Sequence, residues 1–115
     1  MYTHVVAQTL QEFKANLFRV LANPFRIRIL ETLRLGGELT VGEIQQRVDV
    51  EASNVSQHLA ILRQHRLVSA RREGTSVWYS VAAADLYKML DVARAIFEKQ
   101  LREQSRMLAE ERVGG

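Results

Sequence analysis

The sequence predicts one mainly α domain with a small β-hairpin, in the order α-α-β-α-α-β-β-α. Three observations carry this. Apolar residues recur every three or four positions in several segments, the period of a helix with one buried face. Two alternating runs rich in β-branched and aromatic residues flank Gly74-Thr75, the mark of a hairpin. Residues that start and stop helices punctuate the chain where the periodicity breaks.

Thr9 to Ala22 forms the first predicted helix, with Leu10, Phe13, Leu17, Val20 and Leu21 on one stripe. Asn23-Pro24 ends it and starts the next, since Asn caps a helix and Pro suits the first helical position. The second helix runs from Pro24 to about Leu35, with Phe25, Ile27, Ile29, Leu30 and Leu33 mostly inward. Gly36-Gly37 stops it. Glu38-Leu39 reads as a very short strand. Thr40-Val41-Gly42-Glu43 is a capping box, in which Thr and Glu each satisfy a free amide at a helix start. The short third helix turns Val41, Ile44 and Val48 inward and ends in a turn at Asp49-Val50. The fourth runs from Ala52 to Arg66 and buries Val55, Leu59 and Leu62. Residues 67–73 and 76–81 are the hairpin strands. The last helix spans Ala82 to about Arg112, before a mobile Gly114-Gly115 tail.

Composition excludes several classes. The chain has no cysteine, which removes disulfides, thiolate zinc sites and thiol chemistry together. No apolar stretch approaches the roughly 20 residues that span a bilayer. Residues 1–10 lack the basic-then-apolar layout of a signal peptide, so no membrane partner and a cytoplasmic location are expected. His4 and His65 read as solvated or packing residues, not zinc ligands. Catalysis needs a nucleophile beside a base. Ser56 and His58 are only two apart on a helix, so their side chains diverge, and no phosphate-cradling glycine loop exists. No enzyme is expected.

The net charge of +3 is unevenly spread: +1 over residues 1–50, +2 over 51–80 and zero over 81–115. The fourth helix turns Ser53, Asn54, Ser56, Gln57, His58, Arg63 and Gln64 outward. No Asp or Glu occurs from Ala52 to Arg72. A short helix, a tight turn and a helix with a polar, acid-free face make a helix-turn-helix. Asn and Gln suit adenine edges in a major groove. A hairpin with Arg71 and Arg72 near its tip suits phosphate or a minor groove. The pattern reads as a winged helix-turn-helix for double-stranded DNA, the other reading being a helical bundle with a polar helix and an ordinary hairpin. A winged-helix module that binds protein instead would carry acidic residues on that face.

Residues 51–68, with Ser56-x-His58-Leu59-x-x-Leu62 at their centre, resemble the recognition helix of the ArsR family of bacterial repressors. The wing, Arg71-Arg72-Glu73-Gly74-x-x-Val77-x-Tyr79, and Leu21-Ala22-Asn23-Pro24-x-Arg26-x-Arg28-Ile29-Leu30 are similar to that family's patterns. The resemblance implies that Ser53, Asn54, Ser56, Gln57 and His58 face bases or nearby phosphates. It implies that Arg63, Arg71, Arg72 and Thr75 meet backbone or minor groove. Glu51 departs from the family's usual hydroxyl at this helix start and would repel phosphate, so it is no contact. His58 has a second reading, as a buttress of its helix, and Tyr79 reads as packing.

The resemblance also places dimer contacts on the outer helices. A chain this short leaves the last helix's stripe poorly covered by its own core. Leu86, Leu90, Ala93, Phe97 and Leu101 then pair with a second copy, together with Leu10, Phe13 and Leu17. A two-fold dimer predicts a roughly palindromic operator. Family members that sense metals use cysteines before the recognition helix, or histidines on the last one. Here those positions read Asp85-Leu86-Tyr87 and Glu98-Lys99-Gln100-Leu101, so a metal-ligand-free subgroup without cofactor is implied. An organic or protein effector, or constitutive repression, both stay open.

Overall fold

The computed structural model describes residues 8–49 and 52–114, apart from the side chains of residues 52 and 53. His4, Val50, Glu51 and Gly115 lie outside the described residues. The chain divides into two compact units between Ala83 and Ala84.

The first unit opens with α1 (Leu10–Leu21) and α2 (Pro24–Gly36). Thr9 starts α1 through a capping box: its Oγ1 accepts from Glu12 N at 3.1 Å, and Glu12 Oε1 accepts from Thr9 N at 3.0 Å. Asn23 Oδ1 accepts from Phe25 N at 2.9 Å and Arg26 N at 3.1 Å, satisfying two orphan amides of α2. Gly37 closes α2 at φ +80°, a conformation only glycine adopts without strain. The chain thereby turns into β1 (Leu39–Thr40) and α3 (Val41–Val48). The capping box read at Thr40 is present, with Glu43 N donating to Thr40 Oγ1 at 3.3 Å. Asp49, left-handed at φ 54°, ends α3.

Next come α4 (Ala52–Gln64), β2 (Val68–Glu73) and β3 (Ser76–Val81). Helix α4 stops two residues short of the expected Arg66. Arg66 takes φ 61°, its N–H donates to Arg63 O at 2.9 Å and Leu67 N–H to Leu62 O at 2.9 Å. This is a Schellman stop with arginine where glycine is usual. The hairpin is part of a three-stranded antiparallel sheet of order β1-β3-β2. Leu39 pairs Tyr79 and Thr40 pairs Trp78, so the short strand begins one residue later than expected. Gly74, at φ +62°, is the first central residue of the two-residue turn, where a type II′ turn demands glycine.

The core of this unit gathers Ile29, Leu30 and Leu33 of α2, Ile44 and Val48 of α3, and Val55, Leu59 and Leu62 of α4. Each is at most 1% exposed, and burying one contributes about 1.5–3 kcal/mol. Phe25, expected inward, is 42% exposed: it sits in the first turn of α2, at the rim of this core.

The second unit holds α5 (Leu86–Gly114). The expected start at Ala82 is too early. Ala82 N–H donates to Leu67 O at 2.9 Å, and turns occupy 84–85 before the helix. Alanine favours helix, but that sheet-edge hydrogen bond takes its amide first. Gly114, expected in the tail, closes the helix.

Candidate nucleic-acid interface

Helix α4 is the candidate interface because its sequence divides cleanly between faces. Val55, Leu59 and Leu62 recur at helical spacing and are buried completely. At 100° per residue, Gln57 and Gln64 then point directly away from the core, with Asn54 on one flank and Ser56 and Arg63 on the other. All five are exposed. Ser53 lies in the first turn, its side chain outside the described residues. No carboxylate stands in that turn itself.

His58 differs from its neighbours. It is half-buried, and its ring stacks on Phe25 of α2. Its Nδ1 is buried with no hydrogen-bond partner among the described residues. Burial first, and the Arg26 cation second, hold the imidazole below its ordinary value. The buttress reading fits this geometry better than base contact.

The α2 side of that contact is itself anchored. Arg26 Nε donates to Val20 O at 2.6 Å, tying α2 to the end of α1. Arg28 lies 5.7 Å from the centre of the Phe25 ring and donates from Nη1 to Val48 O at 3.4 Å, near the end of α3. Periodicity alone missed this support. The Arg26-x-Arg28 spacing was visible, but its carbonyl partners lie on other helices.

On the wing, Arg72 and Thr75 are exposed near the tip. Among the described residues neither Arg63 nor Arg72 pairs with a carboxylate. Arg71 does: its guanidinium binds Glu38 and Glu73. The register puts Tyr79 opposite Leu39 and Ala70, on the face that Val68 buries. Trp78, opposite Arg71, takes the other face.

Of the expected dimer contacts, Leu10 and Phe13 of α1 are 60% and 54% exposed, and Leu17 is half-buried. On α5, Ala93, Phe97 and Leu101 are exposed, Leu90 is half-buried and Leu86 is buried. Among the described residues no group of three or more His, Asp or Glu could hold a metal ion. No described helix is long and apolar enough to cross a membrane.

The sequence pattern of bacterial regulatory proteins of the arsR family matches residues 23–70, from the cap of α2 through the first half of β2. The HTH-type transcriptional regulator Rv0081 of Mycobacterium tuberculosis is 41% identical over 110 residues, covering 95% of this chain and 96% of the relative. The chain belongs to the arsR family. The crystal structure of Rv0081 superposes with a TM-score of 0.73, covering 85% of this chain and 98% of that one. The transcriptional activator HlyU of Vibrio cholerae is 33% identical over 102 residues, covering 84% of this chain and 94% of HlyU. A homodimeric winged helix-turn-helix domain from Mycobacterium bovis, Mb0332, is 28% identical, with a TM-score of 0.70 over 88% of this chain and 94% of that one. This arsR-family chain is a winged-helix, DNA-binding transcriptional regulator and not an enzyme.

Proposed function

We propose that this arsR-family regulator is a repressor that binds a palindromic operator as a homodimer. One observation carries the proposal: among the described residues, the exposed face of α4 holds no carboxylate and stands beside a wing whose Arg72 has no ion-pair partner. Ser53, Asn54, Ser56 and Gln57 read base edges in the major groove. Arg63, Arg72 and Thr75 hold the backbone. The exposed apolar residues of α1 and α5 are the dimer contacts, which makes the whole chain one functional domain. The homodimeric Mb0332 supports the assembly, and SdpR of Bacillus subtilis, a transcriptional repressor 35% identical over 66 residues, supports the sign of regulation. Acting on chromosomal DNA, the protein works in the cytoplasm.

Footprinting on DNA upstream of the protein's own gene tests this. Two protected half-sites, about 10–10.5 base pairs apart or a multiple of that, are expected. Protection of a single half-site, or equal binding to scrambled DNA, overturns it.

A second reading, regulation by a small organic effector, is favoured by a half-open groove of about 400 Å3 between α1 and the end of α4. Phe13, Leu17 and Leu67 supply apolar walls, and His65 and Arg66 a polar rim. The volume suits a small molecule. Release of footprinted DNA by a compound that no longer acts on a His65→Leu variant, itself still bound to the operator, would establish it.

A further inference from the structure

We infer that Glu38 is a positioning residue for the wing: it holds Arg71 across the sheet, so that Arg72 and not Arg71 is the wing cation offered to phosphate. The inference rests on the DNA-binding reading above, which the wild-type footprint tests separately.

Arg71 Nε donates to Glu38 Oε2 at 3.0 Å and Nη2 donates to Glu38 Oε1 at 2.9 Å, a two-pronged match of guanidinium and carboxylate. Its Nη1 donates to Glu73 Oε2 at 2.6 Å. Every nitrogen of the guanidinium is therefore engaged. Two carboxylates around one cation leave a local sum of −1, which repels phosphate.

The topology gives this cluster a mechanical role. Glu38 directly precedes β1, Arg71 lies on β2, and β3 runs between them. Thr40 and Arg71 both pair with Trp78, so all three side chains share one face, and so does Glu38, two residues before Thr40. The bridge thus ties the two outer strands across the middle one. Strand β1 is only two residues long and leads straight into α3. Without the bridge, two residue pairs alone join the hairpin to β1. Neighbouring Arg72 points to the opposite face, exposed and without a carboxylate partner among the described residues.

An exposed ion pair contributes little to global stability. Its effect belongs in the aim of the wing, and DNA binding reads it. The two roles open to Arg71 predict opposite signs. If Arg71 itself bound phosphate, Glu38 would compete with DNA, and removing its charge would tighten binding.

The experiment measures binding of the intact protein to a fluorescent duplex carrying the footprinted region, by anisotropy across a salt series. Glu38→Gln is expected to weaken binding about fivefold. Arg71→Ala should weaken it equally, with the salt slope unchanged, and the double variant should be no weaker than either single one. Arg71→Lys should fail to restore binding, because an ammonium lacks the fork. Arg72→Ala should lower the slope by about 1.8, the loss of one phosphate contact from each subunit of the bound dimer. Unchanged or tighter binding by Glu38→Gln overturns the inference. So does a lower slope for Arg71→Ala, or full binding by Arg71→Lys.

Discussion

His58 of the recognition helix stacks on Phe25 of α2, their ring centroids 6.0 Å apart and their planes 24° from parallel. A residue that the sequence places among the expected base contacts thereby seats its own helix against α2. Burial, and then the Arg26 cation, disfavour the charged form of the imidazole in this contact.

The first prediction concerns pH. A histidine whose pKa is depressed by folding binds more protons when unfolded, so stability rises with pH across the gap. Its contribution is complete above the ordinary value of 6.5 and is lost as pH falls through the lower folded value. Thermal melts between about pH 7.5 and pH 5 should show a declining midpoint, and His58→Gln should flatten that decline. An identical decline in the variant would remove His58 as the cause.

Arg66 ends α4 at φ 61°. A left-handed conformation costs an ordinary residue roughly 1 kcal/mol relative to glycine. Arg66→Gly is expected to raise Tm by about 4 °C. A fall in Tm would mean that the arginine side chain contributes more than the backbone strain costs.

Gly36 is constrained by space, not by dihedral angle. A Cβ there would stand 2.6 Å from Leu39 Cδ1 and 2.8 Å from Arg47 Nη1. Arg47 can swing aside, but Leu39 is 3% exposed and fixed in the core. Gly36→Ala should destabilise by about 1–3 kcal/mol in urea unfolding, despite alanine's better helix propensity. A neutral result would show that β1 shifts freely.

Gln57 and Asn54 stand exposed on α4, the face proposed above to read base edges. Gln57→Ala is expected to reduce preference for operator over scrambled DNA by about 1–3 kcal/mol while leaving the salt slope unchanged. Competition binding measures the ratio. Uniform weakening on both DNAs would reassign Gln57 to the backbone.

Phe97 is 60% exposed on α5, with Ile96 and Leu101 beside it at 54% and 46%. Burying such a stripe against a second copy would be opposed by a carboxylate within it. Phe97→Glu should shift sedimentation toward monomer and weaken operator binding at least tenfold, since one half-site is lost from each complex. A variant that stays dimeric would place the interface elsewhere.

Local chemistry made most of the architecture legible in the sequence. Thr40 with Glu43, Asn23 before Pro24, and Gly74 between alternating runs each act within a few residues, so their spacing carries the information. The same holds for the two faces of α4, which follow from helical periodicity. Tertiary structure decided what depends on partners far apart in the chain. Ala82 stays with the hairpin, its N–H bonded to Leu67 O, and the last helix begins only at Leu86. His58 turned toward Phe25, 33 positions earlier, and Arg71 toward Glu38, also 33 positions earlier. Residue type states which bonds a side chain can make. Only the packed chain brings one partner of the many possible to within 3 Å, and that proximity separated the arginine that braces the wing from the one left for DNA.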